Sequence, residues 1–268
     1  MLKRRWMNDL FVCVGLDTDY CQIPKAAHKG SAVETMLFFN CAIVDETFDL
    51  ACAYKLNIAF YEAQGFMGLS ALNRTTTYIR KVAPKVPIIL DIKCGDIEST
   101  NLGYTQAAFF TYGADAVTIN PYLGGEALQP FLNFEDKCIF VLCRTSNPGA
   151  GEFQDLLING EPLYQVVARR VATKWNEKGN CGVIAGATYP RELKEIRKIV
   201  GDMPILIPGI GAQEGDLKET VKSGIDSNNQ GIIISSSRRI IFASQESDFA
   251  KAARQKTLEL HNMINDYR

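Results

Sequence analysis

Eight short runs rich in valine, isoleucine and leucine recur along the chain, and their number and spacing restrict the folds open to it. They lie at residues 10–15, 51–56, 86–91, 116–120, 138–144, 182–186, 205–209 and 231–235. The runs are close to continuously apolar rather than alternating, the pattern of a parallel strand buried on both faces. Between them lie segments of helical length, such as 33–50 and 162–178, with apolar residues three and four positions apart. Eight strands alternating with helices in 268 residues predict an α/β fold, a (β/α)8 or TIM barrel, with residues 1–268 forming a single domain. An open doubly wound sheet is the main rival, but no Gly-x-Gly-x-x-Gly follows the first strand. No linker, low-complexity segment or internal repeat marks a second domain.

With 47% hydrophobic and 22% charged residues and a net charge of -1, the chain can bury a large core. Its charge balance gives no support for a nucleic-acid or membrane partner. Eight cysteines, at 13, 21, 41, 52, 94, 138, 143 and 181, include no Cys-x-x-Cys pair, and several sit inside apolar runs. They read as reduced thiols serving as small hydrophobes. No secretory signal and no apolar stretch of membrane-spanning length is visible, so a cytoplasmic location is expected.

In a barrel of this kind, chemistry sits at the C-terminal ends of the strands. Reading only those ends gives Asp17, Lys55 with Asn57, Asp91 with Lys93, Asn120, and Arg144-Thr145-Ser146-Asn147. Thr188 follows, then Gly209-Ile210-Gly211-Ala212-Gln213 and Ser235-Ser236-Ser237-Arg238. Every strand finishes in a polar or glycine-rich group, which points to one site at one mouth.

The densest of these ends is Asp91-Ile92-Lys93-Cys94-Gly95-Asp96. On an extended strand Asp91 and Lys93 face the same side, Lys55 ends the preceding strand, and Asp96 lies just beyond. Two lysines and two aspartates form a charge-balanced set, which reduces the cost of burying any of them. Such a set is either a salt-bridge network closing the barrel or a reaction centre. Only two histidines exist, His28 and His261, so histidine triads and histidine metal sites are not expected. Alternating aspartate and lysine is a poor divalent-metal site, because the ammoniums compete for the carboxylates. A lysine held between carboxylates stays protonated, which makes it a poor imine-forming nucleophile and a good proton donor. The last two strand ends, with backbone N–H groups, hydroxyls and a guanidinium, suit a phosphate.

Asp91-x-Lys93-x-x-Asp96 after an apolar strand resembles the signature of the orotidine 5'-phosphate decarboxylases, and the likeness to the long-chain branch of that family runs from end to end. The segments that carry it are 14–17, 54–62, 113–125, 142–149, 186–190, 207–213 and 236–238. The resemblance implies cofactor-free decarboxylation of orotidine 5'-monophosphate to UMP, the last step of de novo UMP synthesis. By position, it makes Lys93 the acid that protonates C6. Asp91 would sit against the departing carboxylate, and Lys55 would hold Asp91 and the ribose hydroxyls. Asp17 would also bind ribose, Asn57 would be a further substrate-binding residue, and Asn120 would stand behind the residues that touch the substrate. Ser146 would bond the pyrimidine edge, and Gln213 and Arg238 would hold the phosphate. Asp96 and Thr100 would reach into a partner subunit's site, which implies a homodimer with shared sites.

Two positions depart from the family pattern: Arg239 stands where glycine is usual, and Cys94 where a basic residue is common. Sugar-phosphate decarboxylases and aldolases that share Asp-x-Lys-x-x-Asp carry an acidic metal ligand at the end of the second strand. Here that position is Lys55.

Overall fold

The structure, a computed structural model, describes residues 1–210 and 214–268. Eight strands form a closed barrel in which each neighbours the next in chain order and the last closes on the first. They are β1 (Val12–Gly15), β2 (Ala51–Asn57), β3 (Ile88–Cys94), β4 (Ala116–Ile119), β5 (Cys138–Arg144), β6 (Cys181–Ala185), β7 (Ile205–Pro208) and β8 (Ile232–Ser236). All eight fall on the expected apolar runs, and every residue of β1, β4, β6 and β8 is buried. That is why no alternation is visible in them: both faces meet apolar neighbours. Helices separate the strands, and the expected segment 33–50 is the helix Ala32–Thr47, capped by Ser31, whose hydroxyl accepts from Glu34 N–H.

Contacts divide the chain into two units, 1–92 with 107–115 and 235–263, and 93–106 with 116–234 and 264–268. In the first unit β1 pairs with β2 (Gly15 opposite Lys55) and β2 with β3 (Asn57 opposite Asp91). Its helical layer is fixed by Phe39, whose ring stacks on Phe242 and Phe249 at 5.6 and 5.3 Å. Beneath the end of β1 lies a buried polar network. Asn40 accepts from the Thr18 hydroxyl at 2.6 Å and donates to Tyr61 Oη and Thr75 Oγ1, while Tyr61 donates to the Leu16 carbonyl at 2.9 Å. Every polar side chain in it is satisfied, as burial requires, and it fixes the backbone just before Asp17.

In the second unit β4 pairs with β5, β5 with β6 and β6 with β7, all parallel. Two features of this unit were not expected from sequence. The predicted helix 162–178 is shorter, an α-helix at Leu163–Arg170 continuing into a π-helical turn at Val171–Trp175. Ahead of it sits a two-stranded antiparallel ribbon pairing Leu157 with Pro162 and Ile158 with Glu161. Its turn, Asn159-Gly160, has φ of 53° and 84°, the left-handed pair that a two-residue hairpin demands.

Candidate active site

Lys55 lies near the C-terminal end of β2 with its side chain buried, 7% exposed, and its Nζ donates to Asp17 Oδ1 at 3.1 Å and to Asp91 Oδ2 at 2.9 Å. The three residues come from the ends of β1, β2 and β3, so strand register brings them together, with Asn57 opposite Asp91. Burial works against the charge on Lys55, but the two aspartates outweigh it and hold the ammonium above its ordinary value. Lys55 is therefore a fixed cation at neutral pH. Asp91, itself buried at 6% exposure, is held by this ion pair through its Oδ2.

Lys93 is different. Its side chain is exposed and its backbone sits at φ +48°, a left-handed conformation that a lysine adopts at a cost of about 1–3 kcal/mol. Thr118, fully buried on β4, accepts from the Lys93 N–H at 3.0 Å and holds the strand there. The alternation rule that places Asp91 and Lys93 on one face assumes an extended backbone, and Lys93 departs from it in φ. Gly95 follows because nothing larger fits: a Cβ there would lie 2.4 Å from the Asn120 carbonyl oxygen. The same crossing is closed by Asn120 N–H donating to the Cys94 carbonyl at 2.7 Å.

Asp96 heads the loop beyond β3. Its Oδ1 accepts from Ile97 N–H at 2.7 Å, and Asn101 grips its main chain from both sides. Asn101 Oδ1 accepts from Asp96 N–H at 3.1 Å and its Nδ2 donates to the Asp96 carbonyl at 2.7 Å. Asn101 is fully buried, while Thr100, its neighbour on the helix Glu98–Thr105, faces outward. Ile97 and Leu102 beside it are 59% and 58% exposed.

Ser146 lies just past β5 in a slot made by two glycines. A Cβ on Gly186 would come within 2.8 Å of the Ser146 backbone, and one on Gly209 within 3.0 Å of its Oγ. The glycines that follow β6 and β7 are thus room for this serine, and Thr188 Oγ1 anchors its carbonyl at 3.3 Å.

Residues 12–254 match the model of the "Orotidine 5'-phosphate decarboxylase / HUMPS family". The chain belongs to that family. Among curated relatives, orotidine 5'-phosphate decarboxylase of Janthinobacterium sp. (strain Marseille) is 47% identical over 256 residues, covering 96% of this chain and 93% of that one. The enzyme of the same name from Cupriavidus necator is 47% identical over 269 residues, covering 100% and 97%. Among solved structures, the OMP decarboxylase of Leishmania donovani superposes with a TM-score of 0.83 at 33% identity, over 98% of this chain and 97% of that chain. The UMP synthase of the same organism matches with a TM-score of 0.85 at 36% identity over all of this chain, which spans 55% of that longer protein.

In this decarboxylase-family barrel the remaining expected residues stand as follows. Asn57 Oδ1 accepts from Ala59 N–H at 3.2 Å and so caps the helix Ile58–Glu62. Asn120 Oδ1 accepts from Tyr122 N–H at 3.1 Å. Arg238 opens the short helix Arg238–Ile241 with its side chain exposed. Gln213 lies outside the described residues. Arg239, at the position where glycine is usual, is close enough to the C-terminal helix to act on Glu259. That carboxyl is held below its ordinary value first by the Lys256 hydrogen bond and, more weakly, by the charge of Arg239. Cys94 is buried, and burial pushes its thiol up to about 12. It is an unreactive spacer, as Cys13, Cys138 and Cys181 are thiols pushed up to about 12 by burial. All eight cysteines are free. Among the described residues no cluster of acidic, histidine or cysteine side chains could hold a metal, and no helix is long and apolar enough to cross a membrane.

Proposed function

We propose that residues 1–268 act as one catalytic barrel that converts orotidine 5'-monophosphate to UMP and carbon dioxide, with no metal or organic cofactor. The observation that carries this is the end of β2: a buried ammonium, Lys55, ion-paired to Asp17 and Asp91, occupies the position where an enediolate-forming relative needs a metal carboxylate. A divalent cation placed there would meet a fixed positive charge. The donor set suits an anionic, metal-free substrate complex.

In the reaction the C6–carboxylate bond breaks, its electron pair stays on C6, and carbon dioxide leaves. Lys93 then delivers a proton to C6, and water returns one to the lysine. The ammonium stabilises the developing carbanion before it protonates it, which is electrostatic catalysis by a preorganised charge. The backbone strain at Lys93 supports this role, because strained conformations persist where the surrounding structure over-determines them. Asp91 stands against the departing carboxylate, Lys55 and Asp17 orient the ribose with Asn57 and Asn120 near them, and Ser146 meets the pyrimidine edge. Gln213 and Arg238 take the phosphate, whose binding energy, remote from C6, orders the site.

Asp96 and Thr100 serve the site of a second copy in a homodimer. Support comes from the outward-facing Thr100 and the exposed Ile97 and Leu102 around it, an apolar surface that a protein partner would cover. The place of such an enzyme is the cytoplasm, in pyrimidine biosynthesis, with a small nucleotide as its substrate and neither nucleic acid nor membrane as partner.

The test follows the loss of substrate absorbance in metal-free buffer for wild type and Lys93→Ala. Wild type is expected to turn over with chelator present, and the variant to be nearly inert. An inert wild type, or a Lys93→Ala chain at full rate, refutes the assignment. For the dimer, Asp96→Ala and Lys93→Ala chains mixed under subunit exchange are expected to regain activity through one intact hybrid site. Exchange without recovery excludes shared sites.

A further inference from the structure

Ser146 is held by a device built mostly on the stretch it belongs to, residues 144–155. Arg144, the last residue of β5 and 3% exposed, lays its guanidinium over the Tyr189 ring at 4.0 Å. Its Nη2 donates to Asp155 Oδ2 at 3.2 Å, and its Nη1 to Gln154 Oε1 and the Thr145 carbonyl, both at 3.3 Å. Gln154 closes the ring: its Oε1 accepts from Thr145 N–H and its Nε2 donates to Thr145 Oγ1, each at 2.9 Å. Thr145 Oγ1 donates onward to Asn147 Oδ1 at 2.6 Å. Both ends of the loop 145–155 are therefore tied to one buried guanidinium, and Ser146 is the residue beside the tie.

The geometry points to Arg144 and Gln154 as positioning residues, a clasp that sets where Ser146 stands in the glycine slot between residues 186 and 209. The inference rests on the pyrimidine-edge role given to Ser146 above. A simple packing role does not account for the arrangement. Gln154 is half-buried, Asp155 is exposed, and the outer part of the loop, Phe153 and Leu156, is 66% and 53% exposed. The loop thus buries little that would stabilise the barrel, while a Cβ on either glycine of the slot would crowd Ser146 at 2.7–3.0 Å. Cutting the clasp releases Ser146 without unfolding the protein. Side chains that order a catalytic group in this way act on rate through geometry rather than contact.

The experiment measures amide hydrogen exchange at Thr145, thermal midpoint, and kcat/KM for orotidine 5'-monophosphate. It uses Gln154→Ala, Asp155→Asn and Arg144→Lys, each alone and combined with Ser146→Ala. Gln154→Ala is expected to speed Thr145 exchange by about tenfold or more and lower kcat/KM roughly 10- to 100-fold, with the midpoint within about 2 °C. In the Ser146→Ala background the same substitution is expected to cost less than about threefold, because residues acting through one group are non-additive. Unchanged exchange at Thr145, or losses that multiply fully with Ser146→Ala, overturns the clasp. Should Ser146→Ala be harmless while the clasp variants lose activity, both the role of Ser146 and the claim that the clasp acts through it fall. Wild type inert toward this substrate, with Thr145 exchange still faster in Gln154→Ala, refutes the proposed reaction and leaves the clasp supported.

Discussion

Two buried cations in this barrel solve the problem of burial in opposite ways. Lys55, at the C-terminal end of β2, is matched by the carboxylates of Asp17 and Asp91. Arg197, on the helix Pro190–Val200, donates to no carboxylate among the described residues. Its Nε donates to the Gly224 carbonyl, Nη1 to Gly201 and Met203, and Nη2 to Gly231, at 2.5–2.8 Å. Those carbonyls belong to the segments that lead into the N-terminal ends of β7 and β8, so Arg197 pins main chain to main chain. The electrostatic consequence has opposite signs. Burial pulls Arg197 down to about 10, with the nearby Asp226 and Asp202 only partly offsetting it, whereas paired carboxylates raise Lys55. Where a buried cation is met by side-chain charge, the site can act on a substrate's charge; where it is met by neutral carbonyls, it fixes the fold. That division agrees with the division of barrel faces into a C-terminal chemical end and an N-terminal structural end.

The largest expected effect separates rate from stability at a single residue. Lys93→Ala is expected to lower kcat by about 10³-fold or more, the upper range for a positioned acid. Lys93→Gly removes the ammonium and also the left-handed strain, so it is expected to be as inactive yet about 1 kcal/mol more stable in urea unfolding. A Lys93→Gly chain less stable than wild type would show that the strain reading is wrong.

Next in size is the loss of Lys55. Lys55→Met leaves two aspartates facing each other with no cation, a cost of about 3–5 kcal/mol, and activity is expected to fall with it. The pH dependence has a definite sign. A lysine raised on folding contributes stability that is complete below the unfolded value near about 10.4 and is lost only as pH rises through the higher folded value. Between about pH 6 and 10 the gap between wild type and Lys55→Met should therefore stay flat. Urea unfolding across that range checks it, and a gap that closes by pH 8 would mean that Lys55 is not held by its aspartates.

Arg197→Met tests the other half of the comparison. Removing four bonds to main-chain carbonyls is expected to cost about 3 kcal/mol, or several degrees of thermal midpoint, with kcat/KM per folded molecule within about twofold of wild type. Activity lost at an unchanged midpoint would abolish the distinction between the two cations.

How far the sequence discloses these regions depends on the range of the interactions. The eight strands were legible because a strand buried on both faces writes its burial as a run of adjacent apolar residues. The strand-end polar groups were legible for the same reason, as breaks in those runs, and they located Lys55, Asp91 and Ser146. What was missed depends on partners far along the chain. Asn40 is one polar residue in the apolar stretch Phe38-Phe39-Asn40-Cys41, and nothing local reveals that Thr18, Tyr61 and Thr75 meet it. Arg144 was visible as a strand end, but its use depends on Gln154, Asp155 and Tyr189. Asn101 looks like any helix residue until its grip on Asp96 is seen. One omission had a local signal: Asn159-Gly160 between Leu157-Ile158 and Glu161-Pro162 is a two-residue hairpin sequence. The positive φ at Lys93 had no local signal, since it is imposed by Thr118 and by the passage of Gly95 against Asn120.

The smallest effect comes from an arginine whose hydrogen bonds are as short as those of the buried cations. Arg254 on the C-terminal helix grips Asp49 with two bonds of 2.7 and 2.8 Å and adds a third to the Glu46 carbonyl. Both side chains are well exposed, 39% and 46%, so water and salt screen the pair and Arg254→Ala is expected to cost no more than about 1 kcal/mol at pH 7. The hydrogen bonds from Arg254 hold the Asp49 carboxyl below its ordinary value, against a smaller opposing effect of burial. A depressed carboxyl contributes stability that is present above the unfolded value near about 3.9 and is lost as pH falls through the folded one. The difference between wild type and Arg254→Ala should thus persist to about pH 4, vanish below it, and shrink in 1 M salt. If this exposed pair instead proved as costly to break as the Lys55 cluster, burial would not be what separates strong charges from weak ones here.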